Sequence, residues 1–243
     1  MTTVISYVNS AFSVILSDNR INYGHNQEGG YQDGFNKLIN LPEMGWSSGA
    51  GLSDFLVEIK DQLGAFDIKN TDDILHLFKD VLNKAKENNV LYKKEIDESV
   101  IVSSWLGSDG NDVFFRVGML SNKHFGINLR VLEKGEIDIV YPGDYLSNIQ
   151  RVEEIKEKFN LTIGETDLFM ALNEMLQIFD VISSNSTQVS RTCDIGLFTF
   201  QEDGVYKIRT SGDVEELKKH INNKELGENA ELVNVIKFNS EGN

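Results

Sequence analysis

The chain has 243 residues, with 23 Lys and Arg against 38 Asp and Glu, a formal net charge of −15 and a pI near 4.7. Its 40% apolar and 25% charged residues are a globular composition and argue against disordered, fibrous and low-complexity classes. So acidic a surface repels phosphate backbones and anionic lipid, which argues against nucleic acid and membranes as partners. The single cysteine, Cys193, excludes an intramolecular disulfide and a cysteine-rich zinc site. His25, His76, His124 and His220 are scattered with no i, i+4 pair, so no metal or cofactor is expected. No apolar run approaches the ~18 residues of a membrane span. The N-terminus lacks the basic and apolar regions of a signal peptide, so a cytoplasmic protein is expected.

Residues 2–8 read as a strand, with Val4, Ser6 and Val8 on one face and Thr3, Ile5 and Tyr7 on the other. Asn9-Ser10 is a turn signal, and 12–16 is a second strand ending at Ser17-Asp18-Asn19-Arg20. A polar, glycine-rich loop occupies 22–36. Strands follow at 37–41 and 44–48, and Gly49-Ala50-Gly51 breaks the sheet. The spacing of Phe55, Leu56, Ile59 and Leu63 predicts a helix over 53–63. A second helix is expected over 71–88, with Thr71 as its N-cap and Asp72 and Asp73 in the first turn.

Strands are expected at 99–106, 113–120, 126–132 and 137–141, with turns at 107–112, 121–125 and 133–136. Helices follow at about 147–159 and 165–182. Residues 195–200 and 205–209 form a hairpin around Glu202-Asp203-Gly204, and the tail offers a helix at 214–222 and a strand at 232–238. Trp105, Phe114 and Phe115 read as core, Cys193 as a buried small residue, and Asp194, Glu202 and Asp203 as a solvated hairpin rim. Strands in clusters with helices in segregated pairs argue α+β layers rather than a wound βαβ sheet. The expectation is one domain over 1–243, a four-layer αββα sandwich of two stacked antiparallel sheets flanked by helix pairs.

The chemistry sits at the front of the chain. With Met1 removed, the chain opens on Thr2, which carries a hydroxyl nucleophile and, in its own amine, a base whose reference pKa of about 7.7–8.0 lies near neutrality. Such a site needs a cation to depress those pKa values and an anion to hold the cation. Asp18 ends the strand that hairpins back beside the first, and Lys37 begins the third, which returns both beside Thr2. Gly51, or Gly49 as the alternative, offers a backbone N–H to a developing oxyanion. Taken singly, Asp18 and Arg20 read as turn residues, Lys37 as a strand-edge lysine, and both glycines as helix-entry flexibility. Only their joint spacing points to a site.

These residues resemble the proteasome β-type peptidases of the N-terminal-nucleophile hydrolases. Thr2-Thr3 followed by β-branched residues, Ser17-Asp18-Asn19-Arg20, Lys37-Leu38-Ile39, Ser48-Gly49-Ala50-Gly51-Leu52-Ser53-Asp54 and the hairpin Asp194-Ile195-Gly196-Leu197-Phe198 carry the likeness. It covers about residues 2–210 and is nearest in style to bacterial members that start Met-Thr-Thr, with 211–243 as a C-terminal extension. The family's Gly-Ser-Gly-Ser stretch is replaced by Tyr141-Pro142-Gly143-Asp144, and its Asp-x-x-Ser-Gly-Gly by Ser186-Thr187-Gln188-Val189-Ser190.

The resemblance implies a threonine peptidase or amidohydrolase acting on a peptide or amide, without metal or organic cofactor, and assembled as a homo-oligomer. Thr2 is the implied nucleophile and base, Lys37 the cation, Asp18 its partner and Gly51 the oxyanion donor. Arg20 would support the loop, and Ser186 or Ser190 would touch the amine. A second reading, suggested by the replaced serine motifs, is a scaffold or binding protein that keeps the fold without the chemistry.

Overall fold

In the computed structural model, which describes residues 2–23, 30–68, 70–88, 90–110, 112–145, 149–160 and 167–237, apolar alternation and turn chemistry write most of the elements. The first half runs β1 (Val4–Val8), β2 (Phe12–Asp18), β3 (Ile21–Asn22), β4 (Tyr31–Gln32), β5 (Ile39–Asn40), β6 (Trp46–Ala50), α1 (Ser53–Ala65), α2 (Thr71–Asn88) and α3 (Lys93–Glu98). The second runs β7 (Val100–Asp109), β8 (Asp112–Leu120), α4 (Asn122–Phe125), β9 (Leu129–Val131), β10 (Ile137–Val140), α5 (Ile149–Asn160), α6 (Leu168–Asn185), β11 (Thr192–Gln201), β12 (Gly204–Asp213), α7 (Val214–Asn222) and β13 (Glu231–Lys237). The fold is α+β, with antiparallel sheets and, among the described residues, seven α-helices.

A six-stranded sheet has the order β10-β1-β2-β11-β12-β13 and a five-stranded sheet the order β5-β6-β7-β8-β9, while β3 and β4 form a separate small ribbon. Every residue of β1 and β2 is buried because the two strands lie inside the larger sheet and are covered on both faces. The period of two then decides which cluster each side chain joins. Val4, Val8 and Ile15 meet Trp46, Val102, Val117 and Met119 of the smaller sheet. Ile5, Tyr7, Val14 and Leu16 meet Leu172, Met175 and Phe179 of α6. A third cluster joins Ile101 and Leu120 to Ile59 of α1 and Phe78 and Val81 of α2. The two sheets approach closely at Gly196, where a Cβ would lie 2.5 Å from Trp46 Cγ, and the Trp46 indole donates to the Leu197 carbonyl at 3.0 Å.

Several boundaries differ from the sequence expectation for local reasons. The strands expected to end at 106 and start at 113 extend to pair Asp109 with Asp112, and Gly110 takes φ +61 in the tight turn between them. The expected turn at 121–125 closes as the single helical turn α4, ended by Gly126 at φ +62, so β9 begins only at Leu129. Thr71 is not the N-cap of α2. Asn70 Oδ1 accepts from the Asp72 and Asp73 amides at 2.9 and 3.0 Å, and Asp73 Oδ2 accepts from the Asn70 amide at 3.1 Å, a reciprocal capping box one residue earlier. The expected starts of the helices at 147 and 165 lie outside the described residues. Asp167 caps α6 by accepting from the Met170 amide at 3.0 Å. The strand expected at 232–238 is β13 at Glu231–Lys237, which pairs with β12 as the sixth strand; residue 238 lies outside the described residues.

Asp194 is not a solvated rim residue. It is fully buried in β11, where its carboxylate accepts from Asn19 Nδ2 at 2.8 Å and Arg209 Nη2 at 2.7 Å. Phe114 is only half-buried, under the Arg116 guanidinium 4.4 Å from its ring centre.

Candidate active site

The end of the β1–β2 hairpin places Thr2. Thr3 is held on both sides: its amide donates to Asp18 Oδ1 at 3.0 Å, and its hydroxyl donates to the Val140 carbonyl at 2.8 Å. Thr2 is therefore the first residue beyond the clamp, at the end where β2 finishes at Asp18. Asp18 sits opposite Cys193 of β11. Lys37 lies two residues before β5, and the Leu38 amide donating to Asn36 Oδ1 at 3.1 Å fixes the local turn.

These placements bring three sequence-selected residues together. Lys37 Nζ donates to Thr2 Oγ1 at 2.8 Å and to both oxygens of Asp18 at 3.1 Å each. Thr2 and Lys37 are each 7% exposed and Asp18 is 0% exposed, so the triad sits almost wholly out of water. Burial is the largest influence on both charged groups. It raises the Asp18 carboxyl above its ordinary value, against the Lys37 charge and the Arg20 and Thr3 amides that donate to it. It lowers the Lys37 amine, against the attraction of Asp18. An amine so poised next to a hydroxyl can hold its proton toward that oxygen or share it.

Arg20 joins the site through its backbone, whose amide donates to Asp18 Oδ2 at 2.9 Å. Its guanidinium forks onto Asp33 at 2.7 and 2.8 Å, donates to the Thr187 carbonyl at 2.8 Å, and lies 3.8 Å from the Tyr31 ring centre. It thereby ties the segment around β4 to the segment before β11. Gly51 follows β6 at φ +135, a conformation that L side chains rarely adopt, and a Cβ there would collide with Ser99. Gly49 lies within β6 opposite Ile101, where a Cβ would come 2.6 Å from the Val100 carbonyl.

The two serines are engaged elsewhere. Ser186 Oγ donates to Asp144 Oδ1 at 2.6 Å, and the same carboxylate accepts from the Thr187 amide at 3.0 Å. Ser190 Oγ donates to the Thr192 carbonyl at 2.7 Å and accepts from the Asn19 amide at 3.1 Å. Sequence reading missed Asp144, Asp194 and Lys60. Lys60 carried the clearest signal: it falls one turn after Leu56 on the inward stripe of α1, and it is buried there.

Cys193 is fully buried, and burial pushes its thiol well up, which suits packing and not nucleophilic work. Among the described residues, no group of three or more His, Cys, Asp or Glu is placed to hold a metal ion, and no helix is long and apolar enough to cross a membrane.

Among solved structures, the chain is similar to a mutant of Anbu from Hyphomicrobium sp. strain MC1, with a TM-score of 0.61 at 13% identity over 92% of this chain and 93% of that one. It is also similar to Anbu, described as an ancestral beta-subunit, from Yersinia bercovieri, with a TM-score of 0.59 at 13% identity over 82% of each chain. No family model matches the sequence, and no curated protein does. The sequence likeness to bacterial Met-Thr-Thr-starting proteasome-like peptidases is corrected accordingly. What the chain shares with these two structures is a fold, and at 13% identity that is all the likeness shows.

Proposed function

We propose that the chain is a threonine peptidase or amidohydrolase that uses Thr2 after removal of Met1. One observation carries this reading: Lys37 Nζ donates to Thr2 Oγ1 at 2.8 Å while both oxygens of a fully buried Asp18 hold it at 3.1 Å. The Thr2 hydroxyl attacks the amide carbon, and its proton passes to the free Thr2 amine, which returns it to the leaving amine. An ester to Thr2 remains, and water activated by the same amine releases the acid. The Lys37 ammonium stabilises negative charge on Thr2 oxygen, Asp18 aims Lys37, and the Gly51 amide, with Gly49 as the alternative, faces the oxyanion. Arg20 holds the loop. No cofactor enters these steps.

The three apolar clusters support a four-layer αββα arrangement within one domain over 1–243, in which β13 (Glu231–Lys237) completes the larger sheet. We read the protein as a cytoplasmic homo-oligomer. Light scattering at micromolar concentration should give a multiple of 27.4 kDa, and a monomer mass would reject that assembly.

Intact-mass spectrometry and a panel of fluorogenic peptides test the enzyme. Loss of one methionine with turnover that falls more than tenfold in Thr2→Ala, at an unchanged melting temperature, supports it. Turnover retained within tenfold removes Thr2 from the chemistry. A second reading, a scaffold without catalysis, is favoured by the engagement of Ser186 with Asp144 and of Ser190 with Thr192. Full retention of Met1 would select it.

A further inference from the structure

Lys60 has no part in the chemistry above, yet it lies against it. On α1 it shares the inward stripe with Leu56, Ile59 and Leu63, and it is 6% exposed. Its Nζ donates to the Lys37 carbonyl at 3.2 Å. Among the described residues no carboxylate lies within ion-pair distance of it. A buried ammonium with one carbonyl for its three donors is expensive, and a Met or Leu would fill the same space without that cost. The charge therefore has to be accounted for by what it acts on, and its hydrogen-bond partner is the backbone of Lys37.

We infer that Lys60 is a positioning residue for Lys37. Its ammonium fixes the Lys37 backbone through the carbonyl and adds a second buried positive charge that favours the deprotonated Thr2 hydroxyl and the neutral terminal amine. The effect on turnover rests on the threonine-nucleophile reading above; the effect on Lys37 does not.

The groups facing the pair set the direction. Lys37 pushes the Lys60 proton off and Asp61 holds it on, while Asp18 and Asp33 hold the Lys37 proton on and Arg20 opposes them. Burial, the largest influence, brings Lys60 down to about 8. Lys60 is thus charged at neutral pH and loses its charge just above it. While charged, it makes the Thr2 amine more acidic. Removing it should raise that amine, most visibly below pH 8, and should take from Lys37 the change it feels when Lys60 loses its proton.

The test uses full-length protein labelled with 13C-lysine, in which the Lys37 side-chain resonance is followed against pH beside kcat/KM for the best fluorogenic peptide. The wild-type Lys37 resonance should show an inflection near pH 8, where Lys60 loses its proton, and Lys60→Met should abolish it. The acid limb of kcat/KM should move up, giving a loss of about threefold or more at pH 7 that narrows above pH 9. Lys60→Arg, charged throughout, should restore the pH 7 value. An inflection near pH 8 that persists in folded Lys60→Met overturns the inference, as does a uniform loss at every pH accompanied by a lower melting temperature. If Lys60→Met does not fold, the wild-type Lys37 resonance decides: it must show a second inflection near pH 8 from Lys60, and its absence overturns the inference. An inflection near pH 8 that Lys60→Met abolishes, in a protein that has lost Met1 yet cleaves nothing, supports the Lys60–Lys37 coupling and sinks the peptidase reading alone.

Discussion

The behaviour of the site turns on what surrounds the Asp18 carboxylate. It accepts from three donors: the Thr3 amide at 3.0 Å, the Arg20 amide at 2.9 Å and the Lys37 ammonium at 3.1 Å. Lys37→Ala removes only the cation and leaves a fully buried carboxylate with two amides, so it should cost about 3–5 kcal/mol in urea unfolding and abolish turnover. Asp18→Asn is neutral and its single carbonyl still accepts from one of the two amides, which lie on different carboxylate oxygens, so it should cost less stability than Lys37→Ala. Lys37→Arg keeps the charge with a planar, longer head, and should restore stability better than activity. An Asp18→Asn protein as unstable as Lys37→Ala would show that the pair matters through packing and not through charge.

The same residues show how far the sequence is legible. Thr2, Asp18 and Lys37 could be selected because a hairpin and a returning strand bring strand ends to one side, a consequence of period and turn chemistry. Asp194 could not. In the sequence it stands near Glu202 and Asp203 and reads as part of a wet rim, but β2 and β12 flank β11, and Asn19 and Arg209 close on the carboxylate from both neighbours. Burial by non-local strands overrides local composition. Ser186 was likewise judged by its place in the chain, and its partner Asp144 lies across the fold, in a stretch that carries no sign of that contact.

At the scale of elements, α2 separates what periodicity supplies from what only geometry supplies. Its range was legible in full, because the apolar stripe and the acidic first turn agree. Its cap was not, since Asn70 and Thr71 are both good N-caps and adjacent. With Asn70 Oδ1 taking two amides, Asn70→Ala should cost about 1 kcal/mol, and Thr71→Ala less than about 0.5 kcal/mol, in matched urea denaturations. Equal losses would place the cap at Thr71 after all. Phe78, fully buried between α2 and α1, should cost about 3–5 kcal/mol as Ala, which calibrates the pair.

At the scale of the whole molecule, two buried lysines should bend the pH–stability curve. Lys60 donates to the Lys37 carbonyl. Lys207, with no exposed surface, donates to the carbonyls of Leu41, Pro42 and Met44 at 2.7, 3.0 and 2.8 Å and so locks β12 to the turn before β6. Burial brings each from 10.5 down to about 8. Between those values the unfolded chain holds a proton that the folded chain has released, so the unfolded state binds more protons and stability rises with pH. Below about pH 8 both states hold the proton, and the cost of burying each charge is fully present. Urea midpoints should therefore climb from pH 8 toward pH 10, by about 1–2 kcal/mol for the two together once residual solvent screening is allowed for. Above pH 10 the climb should stop, because burial and the Glu153 hydrogen bond raise the Tyr141 phenol, and a folded state that keeps its phenol proton longer than the unfolded chain loses stability there. Lys207→Met should flatten roughly half of the climb. It should also lower stability at pH 10, where the neutral amine still donates to two of those carbonyls and a thioether to none. A climb as large in Lys207→Met as in the wild type would mean that the three carbonyls compensate the Lys207 charge in full, and that the junction between the two sheets is held by an ammonium at no net cost.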